Sequence, residues 1–580
     1  MRWSVALLLV AGFAGCLDDA PRTEAPPEPV IDGVSAVLYD TILRDRLAAE
    51  STVDGVPLVV DVFRPDTDEP VPIILVQSPY WAFLSDAKAS ERPTWYIDYF
   101  VPRGYAVALG EMRGTRDSGG CWDFGGRLDQ QDGHDMVEFL AAQPWSNGHV
   151  GMLGQSHVGM SQVAAAVTAP PSLKTIVPIA AVTDWYRYLH YDGAPYVTNR
   201  ATPPAYFAVH ASPSDPPMGG EGTTPAWVLT QAQTACVDNV VHLSQSAELD
   251  GDKDAYWQER DLIAKAGDTE AAVFLVHGFL DENVKTDHFL DYWDALPDDL
   301  PKKAWYGQWF HEHPPFVEWR DDLHRWYDFW LKGIQNGIMD EPRITVQDNL
   351  YHTRTEQDWP GAVAWTPLAL DEDRLSFGDH ESDSLRRNYL AMPGDDRGTL
   401  PFFDPGYTSS IGLQTAALDA PMRIAGEARL NLTASISSTD GRWIAALFDV
   451  APNGTRDEIS RAYLDARHRG GPSTNEIVEP LAKIDYTLTF YPRDHVVPAG
   501  HRIELALLGG DLGCLTNEDL SGDGYAGTCE GTGIVPLAHP VVHVIDLGAG
   551  GSMLWLPVVQ EDGPRRTLTP LDGWLDDLPE

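Results

Sequence analysis

The chain has 580 residues, 43% of them hydrophobic and 10% aromatic, with 19 Trp and only 5 Cys. That much apolar material excludes a disordered chain, and the length excludes a small disulfide-stapled module and predicts about two to four domains. Set against 41 basic residues, 86 acidic ones leave a net charge of −45, a surface that repels phosphate and argues against nucleic acid and anionic lipid as partners.

The acids are scattered and not gathered in a tail, and only nine of the cations are lysine, a pattern suited to a salt-rich habitat where screening relieves self-repulsion. Arg2 precedes an apolar run from Val5 to Ala14, too short to span a bilayer and the right length for the core of a signal peptide. The run ends in Phe13-Ala14-Gly15-Cys16, which resembles a lipobox with Cys16 as the lipidated residue. The Pro- and acid-rich stretch to Pro29 reads as a tether, so residues 1–33 are expected to be leader and linker. The protein is expected to be exported and held at the outer face of the cell membrane by lipid, or else secreted. Outside a reducing cytosol the other cysteines can pair. Cys514 and Cys529 bracket a Gly- and Asp-rich loop and are the expected bridge, whereas the pairing of Cys121 and Cys236 is left open.

From Val34 onward strand-like runs alternate with helical patterns. Val59–Phe63, Pro72–Val76 and Tyr105–Leu109 read as strands, Asp132–Ala142 as a helix, Val150–Leu153 as a short buried strand and Met160–Val167 as an Ala-rich helix. Such alternation predicts βαβ units and a mostly parallel sheet. Between about 192 and 262 Pro and Gly break the pattern, predicting an inserted helical cap. The α/β texture resumes at Ala272–Val276. From about Thr366 helix signals vanish, and runs such as Arg429–Ala434 and Arg502–Leu507 predict an all-β jelly roll. The expected division is an α/β catalytic domain over 34–365 and a β-sandwich over 366–580. No internal repeat is present.

Gly154-Gln155-Ser156-His157-Val158-Gly159 follows the predicted strand at Val150–Leu153 and opens the Ala-rich helix. A serine on a sharp strand-to-helix turn exposes its hydroxyl and needs small neighbours. The second glycine stands three residues after the serine and not two, so the context, more than the motif, identifies Ser156 as a nucleophile. Its orienting acid and its base should follow in that order. Asp281 lies in the loop after the Ala272 strand, and His311 follows Gly307-Gln308-Trp309-Phe310. On spacing alone His277 or His313 could be the base instead of His311.

The chain resembles the Xaa-prolyl dipeptidyl-peptidase and cocaine-esterase family of α/β-hydrolases. The resemblance rests on Asp61-Val62-Phe63-Arg64-Pro65, Ser78-Pro79-Tyr80, Arg113-Gly114-Thr115, Gly148 to Gly159, Lys174 to Pro178, Gly307-x-Trp309-x-His311 and Pro498-Ala499-Gly500-His501-Arg502. It implies Ser156 as nucleophile, Asp281 as acid and His311 as base, with the oxyanion held by the N–H of His157 and the hydroxyl of Tyr80. Residue 157 is more often Tyr in that family, a change a backbone donor survives. His277-Gly278-x-x-Asp281-x-Asn283-Val284-Lys285 is closer to the prolyl dipeptidyl-peptidase branch than to the esterase branch.

The resemblance implies cleavage after a penultimate proline, and such an enzyme must hold a free α-ammonium with a carboxylate. Glu111, Asp184, Asp192 and Glu282 are candidates for that carboxylate, and Trp185, Tyr186, Tyr188 and Tyr191 are candidates for a pocket wall. Of these, Asp184, Trp185, Tyr186 and Glu282 are the expected substrate contacts. Two other functions fit: an esterase or amide acylase on small acyl or amino-acid esters, or a carbohydrate-binding surface lipoprotein with a vestigial hydrolase core. The expected partner is a small-molecule or peptide substrate, with no metal and no cofactor. Asn517 to Gly524 starts like a calcium loop, but its twelfth position is Thr528, which favours a plain acidic turn.

Overall fold

The computed structural model describes residues 34–80, 94–197, 236, 241, 251–393, 409–511, 533–560 and 562–571. Cys16, the bulk of the insertion, Cys514, Cys529 and the acidic turn after Asn517 lie outside the described residues.

An eleven-stranded sheet organises the first part. Its strands are β1 (Ile42–Glu50), β2 (Pro57–Pro65), β3 (Val71–Ser78), β4 (Ala106–Glu111), β5 (Ser146–Gln155) and β6 (Leu173–Ile179). After a small ribbon of β7 (His190–Tyr191) and β8 (Ala194–Pro195) come β9 (Ala272–Gly278), β10 (Lys302–Gly307), β11 (Ile344–Gln347) and β12 (Thr353–Glu356). The spatial order is β1-β2-β4-β3-β5-β6-β9-β10-β11-β12, completed by the short strand Arg565–Arg566. Strands β4 through β11 in that order are mutually parallel.

Pleating decides which side each residue serves. Ile73 and Leu75 pack on one face with α2 (Arg127–Ala141), α3 (His157–Ala166) and α6 (Asp287–Ala295). Ile74 and Val76 pack on the other with α1 (Thr94–Phe100) and α7 (Val317–Lys332). Two short helices, α4 (Trp185–Leu189) and α5 (Ala255–Glu259), flank the insertion. Because helices cover both faces, β3, β4, β9 and β10 are buried along their whole length, which is why they read as unbroken apolar runs. Helix α2 starts at Arg127 and not at the expected Asp132. Its first turns bury Asp129, Gln130 and Asp132, the last paired with Arg113 at 2.7 Å, so the inward face is polar there and hides the apolar period.

The second part is a sandwich of a nine-stranded and a four-stranded sheet. Along Arg429–Ile436 the residues Leu430, Leu432, Ala434 and Ile436 turn inward, meeting Ala445, Leu447, Leu505 and Leu507 of the smaller sheet in one core. Two boundaries differ from expectation. The first sandwich strand begins at Val363, ahead of the expected 365/366 division. The chain then leaves the sandwich near its end: Arg565 and Arg566 pair with Arg354 and Thr353 of β12, and the Thr569 carbonyl accepts from Val317 N at the start of α7. Two arginines completing a sheet edge carry no hydrophobic signal, so this return was not readable. Cys121 and Cys236 are joined by a disulfide with Cα atoms 5.6 Å apart, settling the pairing left open. No helix among the described residues is long and apolar enough to cross a membrane.

Candidate active site

Strand β5 delivers Ser156 to the carboxyl edge of the parallel sheet. Ser156 has φ 62° and ψ −125°, a strained conformation for a residue with a Cβ, of the kind that clusters at functional sites. It is fixed by its N–H donating to the Ile179 carbonyl at 2.8 Å and by its own carbonyl accepting from Met160 N at 2.9 Å. The glycine at the unusual third position now has a reason: a Cβ on Gly159 would lie 2.8 Å from Ala181 Cβ and 3.0 Å from the Ile179 carbonyl. The small residue is needed where α3 crosses the end of β6.

Asp281 and His311 come from adjacent loops, after β9 and β10. A Cβ at Gly278 would fall 2.1 Å from the Trp309 carbonyl, so the bare backbone lets the two loops touch, and Leu280 N donates to that same carbonyl at 3.1 Å. Asp281 is 1% exposed. One carboxylate oxygen accepts the N–H groups of Asn283 at 3.0 Å and Val284 at 2.9 Å, and the other faces His311 Nδ1 at 2.7 Å. Burial alone would raise its pKa. The charge and hydrogen bond of His311, the nearby His277 and the Val284 N–H outweigh it and hold the carboxyl below its ordinary value. A carboxylate only accepts, so His311 carries its proton on Nδ1 and turns Nε2 away as the basic nitrogen. Gln155, the residue before Ser156, donates its side-chain amide to the His311 carbonyl at 2.6 Å, which draws the histidine loop against the serine turn.

The rival histidines are framework. His277 Nε2 bonds the Val284 carbonyl at 2.8 Å. That carbonyl can only accept, so Nε2 is the protonated nitrogen, and burial lowers the ring pKa to about 4. His313 is buried against Tyr96, and burial lowers it to about 3.

The expected oxyanion donors flank the turn. The His157 N–H opens α3, and Tyr80 stands just past the end of β3, its N–H on Ser78 Oγ at 3.0 Å. The Tyr80 ring meets the His157 ring edge-on with centroids 6.3 Å apart. His157 is 3% exposed in a wall of Trp122, Phe124 and Trp185. Trp122 and Phe124 were not singled out from sequence. Their signal is faint, two aromatics in a Gly-rich loop, and the neighbouring Cys121 was the available clue.

Of the expected substrate contacts, Trp185 lies in this aromatic wall. Asp184 and Tyr186 both make bonds within the framework. Asp184 caps α4 by accepting from Tyr186 N at 2.9 Å and binds Lys253 at 2.6 Å. The Tyr186 hydroxyl donates to the Gly251 carbonyl at 2.6 Å and accepts from Gly193 N at 3.0 Å. Glu282 is partly exposed and stands 4.0 Å from both Arg461 and Arg493 of the sandwich. Lys285 is buried with its Nζ 3.8 Å from the Tyr196 ring centroid, and burial lowers its pKa to about 7. Phe310, exposed beside His311, offers apolar surface at the site. Among the described residues no three His, Cys, Asp or Glu side chains converge as metal ligands do.

Residues 54–313 match the X-Pro dipeptidyl-peptidase (S15 family), and residues 336–526 match the X-Pro dipeptidyl-peptidase C-terminal non-catalytic domain. A putative Xaa-Pro dipeptidyl-peptidase of Streptomyces avermitilis is 27% identical over 606 residues, covering 88% of this chain and 85% of the relative. A cocaine esterase of a Rhodococcus species is 26% identical over 544 residues, covering 82% and 91%. Among solved structures, a CocE/NonD family hydrolase from Staphylococcus aureus superposes with a TM-score of 0.72 at 17% identity, covering 89% of this chain and 94% of that one. An α-amino acid ester hydrolase superposes at 0.69 with 19% identity, covering 92% and 100%. At such identities the structural likeness speaks to fold alone.

Proposed function

From the premise that the chain is a serine hydrolase joining a peptidase S15 X-Pro dipeptidyl-peptidase domain to the C-terminal domain of the same family, we propose that it releases Xaa-Pro dipeptides from peptide N-termini through an acyl-enzyme. Ser156 Oγ attacks the carbonyl carbon of the second residue while His311 Nε2 takes its proton. The tetrahedral oxyanion receives the His157 N–H and the Tyr80 hydroxyl. Collapse breaks the C–N bond, and His311 returns the proton to the departing amine. Water, deprotonated by the same nitrogen, then hydrolyses the ester and frees Ser156. Asp281 holds the tautomer that makes each step possible and stabilises the imidazolium between them.

The observation that carries this reading is the 2.7 Å contact of a buried, ionised Asp281 with His311, on a loop that Gln155 ties to the strained serine. A direct test compares hydrolysis of glycyl-prolyl anilide with that of simple acyl esters, for the wild type and Ser156→Ala. Cleavage of the anilide that vanishes with the serine supports the proposal, and an enzyme indifferent to the prolyl anilide refutes it.

One observation favours a second reading, an esterase or acylase of small acyl esters. The carboxylate of Asp184 is neutralised by Lys253, and Glu282 lies between two arginines, so neither offers an unopposed charge to an α-ammonium. Preference for uncharged acyl esters in the same panel would select it. We also propose export with a lipid on Cys16, which mass spectrometry of the mature N-terminus tests. An unmodified N-terminus beyond Cys16 removes the anchor and leaves a secreted enzyme.

A further inference from the structure

The loop that carries Asp281 is shared between the two parts of the chain. At its near end the Asp281 carboxylate is held by the Asn283 and Val284 N–H groups. Its far end is Thr286, the residue just before α6, which is fully buried. A threonine there ordinarily turns its hydroxyl onto the helix's own N–H groups, but Thr286 makes no such bond. Its Oγ1 instead accepts from Arg493 Nη1 at 2.6 Å. Arg493 is the first residue of the sandwich strand Arg493–Val497, paired with Gly426 in the sheet. Its other terminal nitrogen lies 4.0 Å from Glu282, the residue next to the catalytic acid, with Arg461 of the sandwich at the same distance on the far side. A guanidinium presents donors in a rigid fork, so one arginine can fix both ends of a short loop.

We propose that Arg493, in the domain named non-catalytic, is a positioning residue for the hydrolase reaction. It acts through Thr286 and Glu282 to hold the acid loop so that Asp281 keeps its bond to His311. The proposal rests on the assignment of Ser156, Asp281 and His311 made above. Neither Arg493 nor Thr286 touches the reacting atoms, and their effect passes through the carboxylate.

The experiment uses the full-length enzyme with Arg493→Met, Arg493→Lys, Thr286→Val and the Arg493→Met/Thr286→Val double variant. Active sites are titrated with a fluorophosphonate so that rates refer to folded, reactive enzyme. Turnover of Arg493→Met per reactive serine is expected to fall between about ten- and a hundredfold, the cost of a small misplacement of a catalytic group, with KM nearly unchanged. The acid limb of its kcat/KM against pH profile should move to lower pH, because a displaced carboxylate stabilises the imidazolium less. Arg493→Lys should recover part of the rate. Thr286→Val should reproduce the defect, and the double variant should be no worse than Arg493→Met, as expected of two residues on one path.

Unchanged kcat per titrated site in Arg493→Met and Thr286→Val overturns the proposal, as does an effect confined to KM or a pH limb that stays in place. If Arg493→Met does not fold, Thr286→Val decides alone, since it removes only the acceptor. Failure of the underlying assignment shows separately, as full activity in Ser156→Ala or His311→Ala of otherwise wild-type enzyme.

Discussion

Of the three candidate histidines, His277 and His311 stand near the Asp281 carboxylate and His313 packs against Tyr96, and these partners separate their roles. His311→Ala should lower turnover by about 10³-fold or more, because it removes the base of a triad that acts as a unit, whereas His313→Gln should keep turnover within about tenfold of wild type, having no contact with the reacting groups. A single kinetic series settles it, and loss of activity in His313→Gln with survival in His311→Ala would reverse the assignment. Tyr80→Phe removes one oxyanion donor and should reduce kcat by about 10²–10³-fold with KM little changed; a purely KM effect would make Tyr80 a pocket residue instead. His313 also predicts a pH dependence. Its pKa is lowered to about 3 by burial, so below about pH 6.5 the unfolded chain binds a proton the folded one refuses, and stability is lost as pH falls. At about 1.36 kcal/mol per pH unit this one residue removes about 2 kcal/mol between pH 6.5 and 5. His313→Gln should therefore show a shallower fall in Tm over that interval, and parallel curves would refute it. The serine and the acid were legible because strand-end position and chain order constrain them. The histidine was not, since only hydrogen-bond partners distinguish it, and the framework bonds of Asp184 and Tyr186 were not either, because their partners Lys253, Gly193 and Gly251 are distant in sequence or lie across the insertion.

Loops after β9 and β10 must interlock for the acid and base to meet, and Gly278 is where they do. Gly278→Ala places a methyl 2.1 Å from the Trp309 carbonyl, against backbone that cannot swing aside as a side chain can. It should cost about 1–3 kcal/mol or more of stability and depress kcat by separating Asp281 from His311. Thermal unfolding and turnover per titrated serine measure the two effects, and a variant normal in both would show that the loops do not bear on each other. The strands of the parallel sheet were readable because burial on both faces makes them continuously apolar. Strand Arg429–Ile436 was readable for the opposite reason, its clean alternation with one face wet. Helix α2 was legible only in its second half, since its start buries acids, Asp132 held by Arg113 and Asp129 by the Gly125 N–H, and the two-residue strands of the ribbon carry too few residues to show any period.

At the scale of the whole molecule, covalent and ionic ties join regions that composition alone would treat as separate. The Cys121–Cys236 disulfide closes a loop of 115 residues and ties Cys236 to the residue that precedes Trp122 of the aromatic wall. In the chain-entropy picture such a closure is worth about 4–5 kcal/mol. The Cys121→Ser/Cys236→Ser pair should thus unfold at a lower temperature than the oxidised wild type; coincident transitions of the two under oxidising conditions would show that the bridge does not constrain the chain. A buried lattice of Arg423 and Arg354 around Asp494 fastens sandwich to sheet in the same spirit, so the two parts should unfold together in calorimetry. The return of residues 565–571 to the hydrolase sheet has a bearing on biosynthesis. Strand β12 lacks its last neighbour, and α7 its backbone acceptor at Thr569, until residues about 210 positions downstream have been made. At about 5–20 residues per second a ribosome would spend roughly ten seconds or longer on that interval before the edge could close. The nascent enzyme therefore carries an open strand edge while the whole sandwich is being made, and a chain cut before Arg565 lacks the segment that closes it.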